Sequence, residues 1–308
     1  MLDSKTLSEV TVIVPWQASE AVESFLMDSG ALGTSIERFG SESLKETVRA
    51  YFPGDRPLGE LEASVAAYLK AIEDQFPSAE EWPFSGHFLA EGQWQEKWKA
   101  FFKPVRVGRR IVIKPSWEPY QAREREIIIT LDPGMAFGTG HHATTRLCLE
   151  GIEAQIDRKL KQPRKGNVVG VSLLDVGTGS GILAIVAAKL GARPVVAIDK
   201  DKTAIDVARQ NVRRNQVDDA VRISSRALEG IDGCFDLVVA NIDLPTLAEL
   251  MAPLKRHVSE RGQLVLSGIT REQSQGLRNM ARPGEFRLIK ERGRQGWRCL
   301  VFQRSSLS

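Results

Sequence analysis

Cysteine, histidine and tyrosine are scarce here, at three, four and three residues among 308. Cys148, Cys234 and Cys299 are odd in number and scattered. That is not a disulfide framework; it points to reduced thiols in a cytoplasmic protein, filling core space. His141 and His142 have no third ligand at zinc spacing, so no metal is expected. Long apolar runs are missing as well. The longest are strand-sized, so no segment is expected to span a membrane. The N-terminus lacks the basic, apolar and small-residue order of a secretory signal.

Net charge is also small, at +3, but it is unevenly spread. Residues 1–85 hold 6 Lys/Arg against 15 Asp/Glu, and the remainder holds 36 against 24. An acidic small lobe beside a basic large one fits either a solvated acidic face or a cationic protein partner for the first. With 42% apolar and 26% charged residues, the chain has the make-up of a globular protein of two domains.

Apolar spacing organises the rest. Residues 11–16 read as a strand, and a helix from about Ala18 stops at Gly30. Strands near 34–38 and 47–52 follow. Leu61, Val65, Leu69 and Ile72 then recur at helical spacing within 58–74. This β-α-β-β-α order predicts a small split-βαβ sandwich. Residues 91–102 read as a helix with Trp94, Trp98, Phe101 and Phe102 on one packing face. Strands near 110–114 and 126–131 lead to a loop, and a helix runs from Thr144 to about Ile156. Residues 157–167, broken by Pro163 and Gly166, read as an exposed connection. Beyond 171, strands at 171–177, 194–200, 221–226, 236–242 and 262–269 alternate with helices. That predicts a doubly wound parallel sheet. Two last strands, near 285–291 and 298–304, form an antiparallel hairpin.

Two stretches carry chemistry. Residues 131–145 read Leu-Asp-Pro-Gly-Met-Ala-Phe-Gly-Thr-Gly-His-His-Ala-Thr-Thr, a rigid loop bearing hydroxyls and imidazoles. Residues 173–181 read Leu-Leu-Asp-Val-Gly-Thr-Gly-Ser-Gly, an apolar strand ending in an acid and three alternating glycines. Backbone without Cβ atoms can press against a bulky cofactor, and the next helix offers free N–H groups. Gly179, Gly181 and Ala184 formally meet a dinucleotide fingerprint. The acid-x-Gly-x-Gly-x-Gly order from Asp175 instead resembles the first motif of S-adenosylmethionine (SAM) methyltransferases. Asp199 closes the following strand, where an acid can take both ribose hydroxyls or cap the helix over 202–215. The closing hairpin fits the SAM methyltransferase sheet and not the ordinary dinucleotide fold. Strand 236–240 ends in Asn241-Ile242-Asp243-Leu244. Asn241 is placed to orient an amine or hold the cofactor's methionine end, or to cap the next helix. There is no Asn-Pro-Pro-aromatic box and no clamp for a flipped base.

Taken together, the chain resembles the ribosomal protein L11 methyltransferase family. The matching segments are Leu131 to Gly140, His142, Thr144 to Leu149, Gly177 to Ala184, Ala240-Asn241-Ile242 and Leu266 to Ile269. Trp94, Trp98, Phe102-Lys-Pro, Ile113-Lys-Pro-Ser-Trp117 and Gly30-Ala31 are also similar. The resemblance implies a ferredoxin-like substrate-recognition domain over 1–85, a linker over 86–130, and a SAM-binding catalytic domain over 131–308. It implies N-methylation of lysine side chains and the N-terminal amine of a basic ribosomal protein, with no membrane or nucleic-acid partner. Cofactor contacts would fall on Thr145, Gly177, Gly179, Asp199 and Asn241, with Phe137 and His142 nearby. Asn241 would also serve catalysis by orienting the amine, and Asp243 would attract an ammonium. Two departures stand near the acceptor entrance: His141-His142-Ala143 replaces Thr-His-Pro, and Asp243 replaces Leu. A methyltransferase of another protein, a SAM-binding regulator without turnover and a nicotinamide oxidoreductase are the other readings.

Overall fold

The structure, a computed structural model, describes residues 7–31, 33–38, 44–54, 56–72, 82–89, 102–132, 140, 142–160, 170–281 and 286–305. They divide into two compact units, Met1–Lys103 and Pro104–Ser308.

In the first unit, β1 (Leu7–Pro15) places Val10, Val12 and Val14 on one face, all fully buried. Alternation along a strand is what one covered sheet face requires. Helix α1 (Trp16–Asp28) ends where Gly30 turns to φ +91°, its N–H donating to the Met27 carbonyl at 2.9 Å. β2 (Gly33–Arg38) and β3 (Lys45–Pro53) follow. Helix α2 (Leu58–Ile72) buries Leu61, Val65, Leu69 and Ile72, the stripe read from its spacing. A further strand, β4 (Phe84–Leu89), completes an antiparallel sheet of order β2-β3-β1-β4. Its sequence, Phe-Ser-Gly-His-Phe-Leu, does not announce a strand. Gly86 lies close beneath α2: a Cβ there would come within 2.7 Å of Leu58 Cδ1. The helix expected over 91–102 lies outside the described residues except for Phe102, which is buried against Gly33.

The second unit begins earlier than expected. β5 (Val105–Val107), β6 (Ile111–Lys114) and β7 (Ile127–Thr130) form a three-stranded sheet of their own. Ile111, Ile113 and Ile129 are buried in one apolar core with the helix that follows, α3 (Ala143–Leu160). The 86–130 segment therefore is not a linker: β4 belongs to one unit and β5–β7 to the other. Residues 157–160, read as exposed connection, continue α3. The reason is charge pairing that composition hides: Lys159 Nζ, almost fully buried, meets Asp236 Oδ1 at 3.0 Å.

The main sheet has seven strands: β8 (Val171–Val176), β9 (Ala192–Ile198), β10 (Val221–Ser224), β11 (Phe235–Asn241), β12 (Val258–Thr270), β13 (Phe286–Arg294) and β14 (Trp297–Arg304). Their order is β10-β9-β8-β11-β12-β14-β13. The first five run parallel, and the last two form an antiparallel hairpin beside β12. Helices α4 (Ile182–Lys189), α5 (Lys202–Arg214), α6 (Leu244–Arg256) and α7 (Ser274–Ala281) connect them. One core joins the sheet to α3, α4 and α5, and a second joins it to α6 and α7. The chain winds outward from β8 to β10, then restarts on the other side at β11. Such a reversal opens a crevice at the strand C-termini, here between β8 and β11, where Val176 faces Ala240.

Candidate active site

At that crevice β8 gives way to the glycine turn. Gly177, Gly179 and Gly181 have φ of +74°, +54° and +83°, a region that glycine enters without steric cost. The turn is tied to the end of β9. Gly177 and Thr178 donate N–H to the Ile198 carbonyl at 2.9 and 3.0 Å, and Gly181 donates to Thr178 at 2.9 Å. A Cβ on Gly177 would come within 2.6 Å of Ile242 Cγ2, so the backbone is pressed against the end of β11. Asp199 lies one residue past β9 and is partly exposed. Its Oδ2 accepts the Gly179 N–H at 2.9 Å and its Oδ1 accepts the Asp201 N–H at 3.0 Å. Asp199 is not the helix cap. Asp201 caps α5, accepting the Thr203 N–H at 2.8 Å.

Asp175 lies beneath the turn and is fully buried. The Thr178 hydroxyl donates to its Oδ2 at 2.6 Å. Burial pushes the carboxyl up to about 7, opposed by that hydroxyl and aided by the charge of Asp199, with the Ala184 N–H also favouring the ionised form. Its Oδ1 has no hydrogen-bond partner among the described residues. Asn241 ends β11 beside it, and its Oδ1 is likewise buried and unpartnered among them. The cap of α6 is Asp243, which takes the Thr246 N–H at 3.0 Å and hydroxyl at 2.8 Å. Those bonds, the backbone one first, hold its carboxyl below the ordinary range. Asn241 is thereby relieved of a capping role, and Asp243 has one that accounts for it without any ammonium.

The start of α3 supplies the third side. His142 donates nothing through its carbonyl but accepts the Arg146 N–H there at 3.1 Å. Its Nδ1 lies 2.7 Å from the Thr144 hydroxyl. Burial pushes the imidazole down to about 4, so it is neutral at physiological pH. Thr145 is buried, and its hydroxyl has no partner among the described residues. One turn on, Cys148 is buried near Cys299, Ser267 and Asp175. Ser267 is the register partner of Asn241. Thr145, Asp175 and Asn241 thus come from three elements that meet at one place. Before the loop, Asp132 accepts the Ser116 N–H at 2.6 Å and hydroxyl at 3.0 Å, and it pairs with Arg214. Phe137 and His141 lie outside the described residues.

Other buried polar atoms, on Ser8, Gln155, Ser259, Gln263 and Arg278, also lack partners among the described residues, but these three oxygens gather at the crevice, and each costs about 1–3 kcal/mol unless something donates to it. A ligand with an ammonium and hydroxyl donors, lying over a glycine turn, would satisfy them. A separate cavity of about 630 Å³, lined by Ser172, Arg193, Arg222, Asp232 and Asp236, lies at the opposite ends of the strands. Ligands of such sheets bind beyond the carboxyl ends, so it is not the reaction site.

A family profile described as "Ribosomal protein L11 methyltransferase (PrmA)" matches residues 6–305. The chain belongs to the ribosomal protein L11 methyltransferase family. It is 39% identical to the enzyme of that name from Geotalea uraniireducens (strain Rf4), over 98% of this chain and 99% of the relative. It is 33% identical to that of Streptococcus equi subsp. zooepidemicus (strain H70), over 98% and 97%. Among solved structures it is similar to the ribosomal protein L11 methylase of Lactobacillus delbrueckii subsp. bulgaricus. That match has a TM-score of 0.58 and 34% identity, and covers 67% of this chain and 100% of the other. The second unit accordingly has the α/β fold of SAM-dependent methyltransferases, closing hairpin included.

Of the residues expected to contact a cofactor, Gly177, Gly179, Asp199 and Asn241 follow or close strands at the carboxyl end of the sheet, and Thr145 stands in the first turn of α3. Sequence reasoning did not mark Thr178 and Trp297, which touch Asp175 and His142. Thr178, three residues after an acid that must be buried, was readable as that acid's partner. Trp297 touches His142 from the far end of the chain, with ring centroids 5.0 Å apart, and no local pattern signals it.

Proposed function

We propose that this chain is a SAM-dependent protein N-methyltransferase acting on ribosomal protein L11, at lysine side chains, the N-terminal amine, or both. The observation that carries this reading is the set of unpartnered oxygens on Thr145, Asp175 and Asn241 around the glycine turn. Residues fit the cofactor by kind. The Asp199 carboxylate retains lone pairs for ribose hydroxyls while it holds the Gly179 amide. Gly177 and Gly179 give backbone access, and Thr145, Asp175 and Asn241 would take the ammonium end. When bound, SAM supplies a methyl group on a sulfonium sulfur with its leaving group built in.

The protein's work is therefore positioning and exclusion of water. The acceptor must arrive as a neutral amine, and a weakly polar pocket lowers a lysine pKa. Asn241, at the end of β11, orients that amine through its side-chain carbonyl. The proton passes to solvent, since Asp243 is held by α6 and His142 by Thr144.

The first unit, Met1–Lys103, selects the substrate in this reading. It carries 9 Lys/Arg against 17 Asp/Glu, suited to a basic ribosomal protein met in the cytoplasm. Titration calorimetry with SAM and with NAD tests the cofactor. SAM binding alone supports the reading, and NAD binding without SAM binding overturns it.

A further inference from the structure

The closing hairpin does more than finish the sheet. Its turn is a two-residue one, with Gln295 and Gly296 at φ +51° and +78°. Positive φ at both central positions is the turn whose twist matches that of the paired strands, and it leaves little freedom at the tip. The tip is tied down again by the Arg271 N–H, which donates to the Gly296 carbonyl at 2.8 Å. Trp297 pairs with Thr270, the last residue of β12, so the hairpin delivers its indole to the active-site end of the sheet. There it meets His142 at 5.0 Å between ring centroids and an interplanar angle of 67°, an edge-to-face contact. The imidazole is thus held between an indole and the Thr144 hydroxyl. His142 is also the residue whose carbonyl accepts the first helical N–H of α3, from Arg146. Three residues on stands Thr145, with its unpartnered hydroxyl.

We infer that Trp297 is a positioning residue for the cofactor site: through His142 it fixes the first turn of α3, and so the hydroxyl that Thr145 offers. This rests on the SAM reading above. It assigns a role to a residue near the end of the chain, more than 150 positions after the histidine it touches.

The test compares the parent protein with Trp297→Phe, which keeps an aromatic edge, and Trp297→Leu, which keeps apolar bulk alone. SAM affinity is read by calorimetry, and initial rates are read with L11 as acceptor. Trp297→Leu should raise the SAM Kd and KM roughly three- to tenfold, the range expected for loss of one aromatic pair. The acceptor KM and kcat at saturating SAM should stay within about twofold. Trp297→Phe should restore SAM affinity to within about twofold of the parent. In a His142→Ala background, Trp297→Leu should add nothing further to the SAM Kd. An unchanged SAM Kd in Trp297→Leu overturns the inference. So does a loss confined to kcat or the acceptor KM, which would place the indole on the substrate path. Should Trp297→Leu not fold, the parent alone decides by His ¹³Cε1 NMR. The His142 resonance, assigned by its loss in His142→Asn, must shift when SAM is added, and an unmoved resonance overturns the inference. If the parent binds no SAM, the cofactor reading itself fails, whatever the Trp297 variants do.

Discussion

Individual side chains in the crevice are held away from their ordinary ionisation, and this sets the pH behaviour. Asp175 titrates near 7 when folded, above its ordinary 3.8. Its contribution to stability is fully present below 3.8 and is lost as pH rises through 7. His142 titrates near 4, below its ordinary 6.5. Its contribution is present above 6.5 and is lost as pH falls through 4. Without ligand, Asp175→Asn should therefore raise Tm at about pH 8 by more than at about pH 5. A thermal melt at both values checks this, and equal effects would contradict it. A bound ammonium favours the ionised carboxylate, so SAM affinity should rise between about pH 5.5 and 7.5, with proton release. Asp175→Asn should flatten that slope in calorimetry. Asp199 has two tasks, ribose hydroxyls and the Gly179 amide. Asp199→Ala should weaken SAM binding by roughly 1.5–3 kcal/mol, about ten- to hundredfold.

Secondary-structure elements carry the next set of consequences. If Asp243 serves α6 and not the acceptor, Asp243→Ala should cost about 1 kcal/mol of stability, as lost caps do. Its kcat and acceptor KM should be unchanged, and a raised acceptor KM would restore the ammonium role. Much of this level was legible in the sequence. Helix α2 announced itself by Leu61, Val65, Leu69 and Ile72, and β8, β9 and β11 by their apolar runs with Gly177, Asp199 and Asn241 at their ends. What stayed hidden depended on partners distant in the chain. β4 is a strand because β1 offers it a ladder, and Gly86 fits beneath α2. The last turn of α3 is helical because Lys159 finds Asp236, 77 residues on. β5–β7 looked like a linker because their strands are three or four residues long, and they join the α3 core through only a few side chains, Val107, Ile111, Ile113 and Ile129. At the site, the glycines and Asp199 had a local signature. The unpartnered state of Thr145, Asp175 and Asn241 emerged only when three elements met.

At the scale of the whole molecule, charge and division of labour matter most. The first unit is acidic and the second basic, with 33 Lys/Arg against 22 Asp/Glu over Pro104–Ser308. If the acidic unit receives a cationic ribosomal protein, association should slow as salt rises, because screening shortens from about 10 Å at 0.1 M to about 3 Å at 1 M. SAM affinity should change less, since its contacts are short-range hydrogen bonds and not long-range steering. Stopped-flow association rates across salt check this, and a flat profile would leave docking to apolar contacts. A chain beginning at Pro104 keeps both cores of the second unit. It should bind SAM and fail to methylate L11. The central claim, that this protein moves a methyl group from SAM to ribosomal protein L11, is tested by one measurement. Methyl-labelled SAM is incubated with the full chain and hypomethylated ribosomal proteins, and the labelled product is read by mass spectrometry. Label should appear on L11, at lysine side chains or the N-terminal amine, and be lost in Asn241→Ala even at saturating SAM. Label on another protein, or none on L11 while SAM is bound, would contradict it.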